Sequence, residues 1–68
     1  MNDERIEVTT DDGEIVGCYV GDRVINPIRG ISGTIVGLGD APNTVRIKVD
    51  ETGESFDVEA SNFQDYWE

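Results

Sequence analysis

The sequence predicts a small all-β domain of five to six short antiparallel strands with an N-terminal hairpin. Three observations carry that reading. No stretch sustains an apolar repeat of helical period. Apolar and polar residues alternate over short runs, as half-buried strands require. Gly, Pro, Asn and Asp break those runs, and eight glycines fall within 68 residues.

The first strand is predicted over Arg5–Thr10, with Ile6 and Val8 on one face, and Asp11-Asp12-Gly13-Glu14 turns the chain. Asp12-Gly13 suits the central pair of a type I′ turn, where positive φ is required. The return strand over Ile15–Val20 would then set Ile6 opposite Tyr19 and Thr10 opposite Ile15. A third strand covers Arg23–Asn26, and Pro27, which has no ladder donor, ends it or places it at an edge. Arg29–Gly33 reads as a loop before a strand over Thr34–Leu38, and Gly39–Asn43 as a second loop.

Thr44–Asp50 and Ser55–Glu59 form the clearest hairpin, with Val45, Ile47, Val49, Phe56 and Val58 directed inward. Pairing Asp50 with Ser55 places Val49 opposite Phe56 and Ile47 opposite Val58. The same register sets Lys48 against Asp57 and Arg46 against Glu59. A slip of one residue would reverse the faces, so the alternation defines which side chains are buried. Ala60–Phe63 is predicted as a late 3₁₀ turn, with Phe63 plugging one end of the core, and Asp65–Glu68 as a last short strand.

Sixty-eight residues make one domain, 1–68. A chain of this length removes only roughly 60% of its unfolded surface from water, so its stability margin is thin. Cys18 is the only cysteine, which excludes an intrachain disulfide, and there is no histidine. Zinc sites built from Cys and His, histidine bases and catalytic triads are thereby excluded. The acidic start Met1-Asn2-Asp3-Glu4 has no apolar stretch and predicts no secretory leader. No apolar run is long enough to span a bilayer. A cytoplasmic setting, in which a lone thiol stays reduced, is the plain expectation.

Fifteen acidic residues face five basic ones, a formal net charge of −10. Nucleic acids and anionic membranes bind through Lys and Arg, so both are disfavoured by the bulk charge. Three causes of the acidity compete: solubility, a salt-adapted proteome in which Arg outnumbers the single Lys48, and an acidic surface aimed at a basic partner.

Val20-Gly21-Asp22-Arg23-Val24, followed by Arg29-Gly30-Ile31-Ser32-Gly33-Thr34-Ile35-Val36, resembles the KOW segment found in modules of transcription-elongation factors and some ribosomal proteins. Val45–Phe63 looks like the strand pair and 3₁₀ turn of small SH3-like and Tudor-like barrels. The resemblance implies a partly open SH3-like barrel and an interaction module that binds RNA or proteins of the transcription and translation machinery. The chain departs from the pattern in carrying Arg29 alone in the loop, where RNA-binding modules carry a basic cluster.

Asp11-Asp12-Gly13-Glu14 lacks the alternating ligand spacing of a calcium loop, and a hairpin turn accounts for every residue in it. The Gly30-x-x-Gly33 and Gly37-Leu38-Gly39 stretches match neither a Walker loop nor a dinucleotide fingerprint. No catalytic, metal or cofactor residue is predicted, and Cys18 reads as a small buried hydrophobe. Tyr66-Trp67 stands out: neighbours on a strand face opposite sides, so one ring would be exposed, flanked by Asp65 and Glu68, although the favoured expectation is that both rings simply close the small core. Asp57, Glu59, Asp65, Tyr66, Trp67 and Glu68 are therefore the candidate surface for a basic protein partner, and such a surface is also suited to imitate nucleic acid. The alternative is a salt-adapted RNA-binding module using Arg23, Arg29, Arg46 and Lys48; a third reading is a structural component of a larger assembly, cellular or viral.

Overall fold

The computed structural model describes residues 4–68; Met1–Asp3, part of the segment read for the absence of a leader, lie outside the described residues. The strands are β1 (Arg5–Thr9), β2 (Ile15–Tyr19), β3 (Arg23–Asn26), β4 (Ile31–Leu38), β5 (Thr44–Val49) and β6 (Ser55–Glu59), followed by a helix, α1 (Ala60–Tyr66). All pairings are antiparallel. β1 and β2 form a hairpin, and β3-β4-β5-β6 form a meander in chain order. The fold is all-β, as the alternation requires.

Alternation decides what is buried. Val45 and Ile47 of β5 are fully enclosed, with Ile35 of β4 beside them, while Arg46 and Lys48 point outward. Ile6, Val8 and Cys18 of the hairpin join the same core, together with Val24, Val58, Ala60, Phe63 and Trp67. The hairpin is tied to the larger sheet by polar bonds as well. Thr9 N–H donates to Asn43 Oδ1 (3.2 Å) and Asp11 N–H to Ser61 Oγ (2.9 Å). Just after the hairpin, Gly21 N–H donates to the Ile35 carbonyl (2.8 Å) and Ile35 N–H to the Asp22 carbonyl (2.9 Å).

Both hairpin registers differ from the sequence expectation, and in each case the turn is the cause. In β1–β2, Ile6 stands opposite Cys18 and Thr9 opposite Ile15. A type I′ turn needs positive φ at both central residues, but Gly13 alone adopts it there (+87°). The loop is accordingly Asp11–Gly13, closed by Thr10 N–H to the Glu14 carbonyl (2.8 Å) and Gly13 N–H to the Thr10 carbonyl (3.0 Å). In β5–β6, Ile47 stands opposite Phe56, Val45 opposite Val58, Arg46 opposite Asp57 and Lys48 opposite Ser55. The pairing is displaced by two residues, because the loop is Asp50–Gly53. Val49 N–H bonds the Glu54 carbonyl (2.7 Å), and Gly53 at φ +76° returns its N–H to the Val49 carbonyl (2.8 Å).

β4 begins at Ile31, three residues earlier than the sequence suggests, because the turn after Pro27 closes quickly. Gly30 N–H reaches the Asn26 carbonyl (2.9 Å), and Arg29 N–H reaches Asn26 Oδ1 (3.2 Å). The late turn is a seven-residue α-helix where a 3₁₀ turn was expected, and no final strand over Asp65–Glu68 follows. Ala60, Phe63 and Trp67 are all buried. Ala60 and Phe63, three residues apart, share one face of the helix, and Trp67 follows just past its end, so burying all three favours α geometry over Ala60–Tyr66.

The chain end still meets the sheet. Ile25 N–H donates to the Glu68 carbonyl (3.0 Å) and Glu68 N–H to the Ile25 carbonyl (2.8 Å), which covers the outer edge of β3. β6, the other edge of the four-stranded sheet, has no strand beside it among the described residues. The two sheets do not close into a continuous barrel, and of the two edges of the four-stranded sheet only β6 is left open.

Shortening the fully buried Ile47 to Val removes one methylene and is expected to cost ~0.5–1.5 kcal/mol in urea unfolding. The same change at Ile28, 75% exposed in the β3–β4 turn, should stay within about 0.5 kcal/mol. Equal costs at the two positions would contradict this assignment of the core.

Candidate functional site

A groove of about 360 Å³ lies beside β6, the open edge of the four-stranded sheet. Its walls come from β6 (Phe56–Glu59), from the β3–β4 turn (Ile28, Arg29) and from the α1 end of the chain (Asn62, Tyr66, Trp67), with Asn26 also lining it. The apolar part has a simple origin. Phe56 and Val58 face inward on β6, and Phe56 packs on the Trp67 indole at a centroid distance of 6.0 Å and a tilt of 46°. Tilted pairs at this distance suit the ring quadrupoles.

The chain end decides which aromatic is exposed. Tyr66 closes α1, and Trp67, already extended, donates its N–H to the Phe63 carbonyl (3.1 Å). Tyr66 remains 47% exposed while Trp67 is reduced to 8%. The favoured expectation that both rings close the core is thereby corrected: one ring is in and one out, and a helix end produces this in place of a strand.

Four of the six candidate partner residues line this groove: Asp57, Glu59, Tyr66 and Trp67. Asp65 and Glu68 are exposed next to the two rings in sequence but do not line the groove. Asp57 already has partners. Its Oδ1 accepts from Arg46 Nε (2.9 Å), and its Oδ2 accepts from the Asp40 N–H (2.9 Å). The Arg46 hydrogen bond first, and the Asp40 N–H second, hold the Asp57 carboxyl below the usual carboxylate range. Arg46 also contacts Asp40 at 3.0 Å, so Asp57 anchors the β4–β5 loop to the sheet. Glu59 makes no ion pair among the described residues, which leaves it the free carboxylate of the groove.

The alternative basic set is split. Arg23 and Lys48 share a cross-strand row through Thr34, and Arg46 lies on the same outward face of the sheet. Arg29 stands apart, in the groove. Arg23 is bonded to Asp50 Oδ2 (2.8 Å), and Arg46 is held by Asp57 and Asp40. Two of the four cations on which a phosphate would depend are thus neutralised within the chain.

Cys18 is buried on β2, where desolvation first and the Asp22 charge second push its thiol up, with Arg5 opposing. An un-ionised thiol is a poor nucleophile. Sequence reasoning missed Asn26, Ile28, Phe56, Val58 and Asn62 as groove residues. Only Ile28 carried a signal, as an isoleucine placed among turn formers. No helix among the described residues is long and apolar enough to cross a membrane. Among known proteins, no family model matches the chain, and neither a curated protein nor a solved structure matches it. The likeness to KOW segments accordingly rests on the residues quoted for it.

Because the Asp57 carboxyl is depressed in the folded protein, its contribution to stability is present above the unfolded value near ~3.9 and is lost as pH falls through the folded value. Asp57→Asn should lower the melting temperature most near neutral pH. The gap to wild type should narrow steadily below about pH 4. A gap that stays constant down to about pH 2 would refute the pairing.

Proposed function

We propose that this domain is a non-enzymatic interaction module whose acidic surface binds a basic protein partner. The observation that carries the reading is the groove itself: an apolar strip of Phe56, Val58 and Trp67, a half-exposed Tyr66, and the unpaired Glu59 at its rim. Apolar anchors inside a charged rim are what a protein interface needs, since desolvated aromatic contacts supply affinity and rim charges supply steering. Within the groove Arg29 is the one cation facing Asp57 and Glu59, and Asp57 is offset by Arg46. The attraction for a basic ligand therefore comes mainly from the −10 charge of the whole chain, aided by Glu59 and the flanking Asp65 and Glu68.

The internal pairing of Arg23 and Arg46 favours this reading over an RNA-binding one, because a phosphate would have to displace Asp50 and Asp57. Imitation of nucleic acid is one form that binding to a basic protein would take. A cytoplasmic setting, in which Cys18 stays reduced, fits the same reading.

Glu59→Gln, Asp65→Asn and Glu68→Gln combined should weaken binding to an immobilised arginine-rich peptide by about tenfold near 0.15 M salt and flatten its salt dependence. Asp57 is left intact in this variant because it holds Arg46. Unchanged retention, with the melt preserved, would contradict the proposal.

A further inference from the structure

The ladder between β5 and β6 fixes which backbone groups of β6 face the groove. Val49 N–H bonds the Glu54 carbonyl, and Ala60 N–H bonds the Asn43 carbonyl. Both pairs belong to the register that sets Ile47 opposite Phe56 and Val45 opposite Val58. Hydrogen-bonded and non-bonded pairs alternate along an antiparallel ladder. Glu54, Phe56, Val58 and Ala60 therefore turn their N–H and C=O groups toward β5, and Ser55, Asp57 and Glu59 turn theirs away. The Glu59 carbonyl opens α1, for which Glu59 is the N-cap. That leaves three N–H donors and two carbonyl acceptors along one exposed edge, and none of these has a partner among the described residues.

β3 shows how this chain treats an edge that is not left open: Ile25 exchanges both backbone bonds with Glu68. The β6 edge has no such cover, no proline and no lysine, and the two charges on this five-residue strand, Asp57 and Glu59, are both acidic, which discourages an acidic strand but not a basic one. It has instead a groove along Phe56–Glu59 that mixes the apolar Phe56, Val58 and Trp67 with polar and charged side chains.

The geometry points to an extended basic peptide of a protein partner, added as a further strand along Ser55–Glu59. This rests on the basic-partner reading above and specifies how the partner sits. Strand alternation then sets the ligand's pattern. Ligand side chains on the inner face would lie beside Phe56, Val58 and Trp67, which calls for apolar residues. Those on the outer face would lie beside Ser55, Asp57 and Glu59, which calls for Lys or Arg. The ligand class is thus a segment alternating basic and apolar residues, drawn in by the acidic chain and held by backbone bonds.

Glu59 allows a clean test because its φ is −65° and its ψ 149°. Proline fits that conformation without strain. Glu59→Pro removes the outward N–H and puts a ring in the path of the ladder, whereas Glu59→Gln removes only the charge. The probe is a blocked heptapeptide alternating arginine with valine, titrated against the fluorescence of Trp67, the only tryptophan of the chain, which lines the groove. The expected result is binding by wild type, modest weakening in Glu59→Gln, and a further loss of at least about tenfold in Glu59→Pro. The same peptide N-methylated on alternate residues along one edge should lose affinity comparably on the unaltered protein. That arm keeps the test decisive if Glu59→Pro fails to fold.

Equal affinities for Glu59→Pro and Glu59→Gln, with the N-methylated peptide still bound, would overturn strand addition and leave the acidic-surface reading standing. No binding of the probe to wild type would overturn the assigned ligand. A concentration-dependent dimer of the protein alone, abolished by Glu59→Pro, would also overturn it, by giving the edge to a second copy of this chain.

Discussion

The burial of Val45 and Ile47 is the constraint around which the rest of the domain is arranged. Both side chains of β5 are wholly enclosed, and β5 is bonded on one side to β4 and on the other to β6. A chain this short has few residues able to reach full burial, and its total stability is expected to be only ~3–10 kcal/mol. Everything that touches β5 is correspondingly exacting. Gly33, opposite Val49, illustrates the point: a Cβ there would come within 2.8 Å of the Lys48 carbonyl oxygen. The close approach of β4 to β5 is possible only because that position has no side chain.

From this centre the two edges of the sheet follow different courses. β3 is sealed because α1 carries Trp67 into the core and delivers Glu68 to Ile25. The same helix leaves β6 directly from Glu59 and so leaves that strand's outer edge open. Closure of one edge and exposure of the other are consequences of one apolar stripe, Ala60, Phe63 and Trp67. The groove is the space that remains, and its floor is the indole that secures the opposite edge. Fold and candidate interface are in this sense one arrangement.

Much of this was legible in the residues. The alternation located six strands and the inward sets, and Tyr66 and Trp67 both lie on the groove. What escaped did so for definite reasons. A displacement of two residues between β5 and β6 leaves Val45, Ile47, Phe56 and Val58 on the same face, so hydrophobic pattern cannot detect it. The choice is made by Gly53 in a left-handed turn, which also brings Asp57 opposite Arg46 in place of Glu59. The helix was hidden because its stripe has only three members, and because Ala60-Ser61-Asn62 reads as a turn. The groove was invisible because Ile28 and Asn62, which help to form it, come from a turn and a helix that alternation does not describe.

Residue-resolved amide hydrogen exchange in the free protein tests the central claim most directly. The account predicts slow exchange at Phe56, Val58 and Ile25, and fast exchange at Ser55, Asp57 and Glu59, so that protection alternates along β6. Protection at Ser55, Asp57 and Glu59 equal to that of Phe56 and Val58 would mean that the β6 edge is already covered, and would contradict the account.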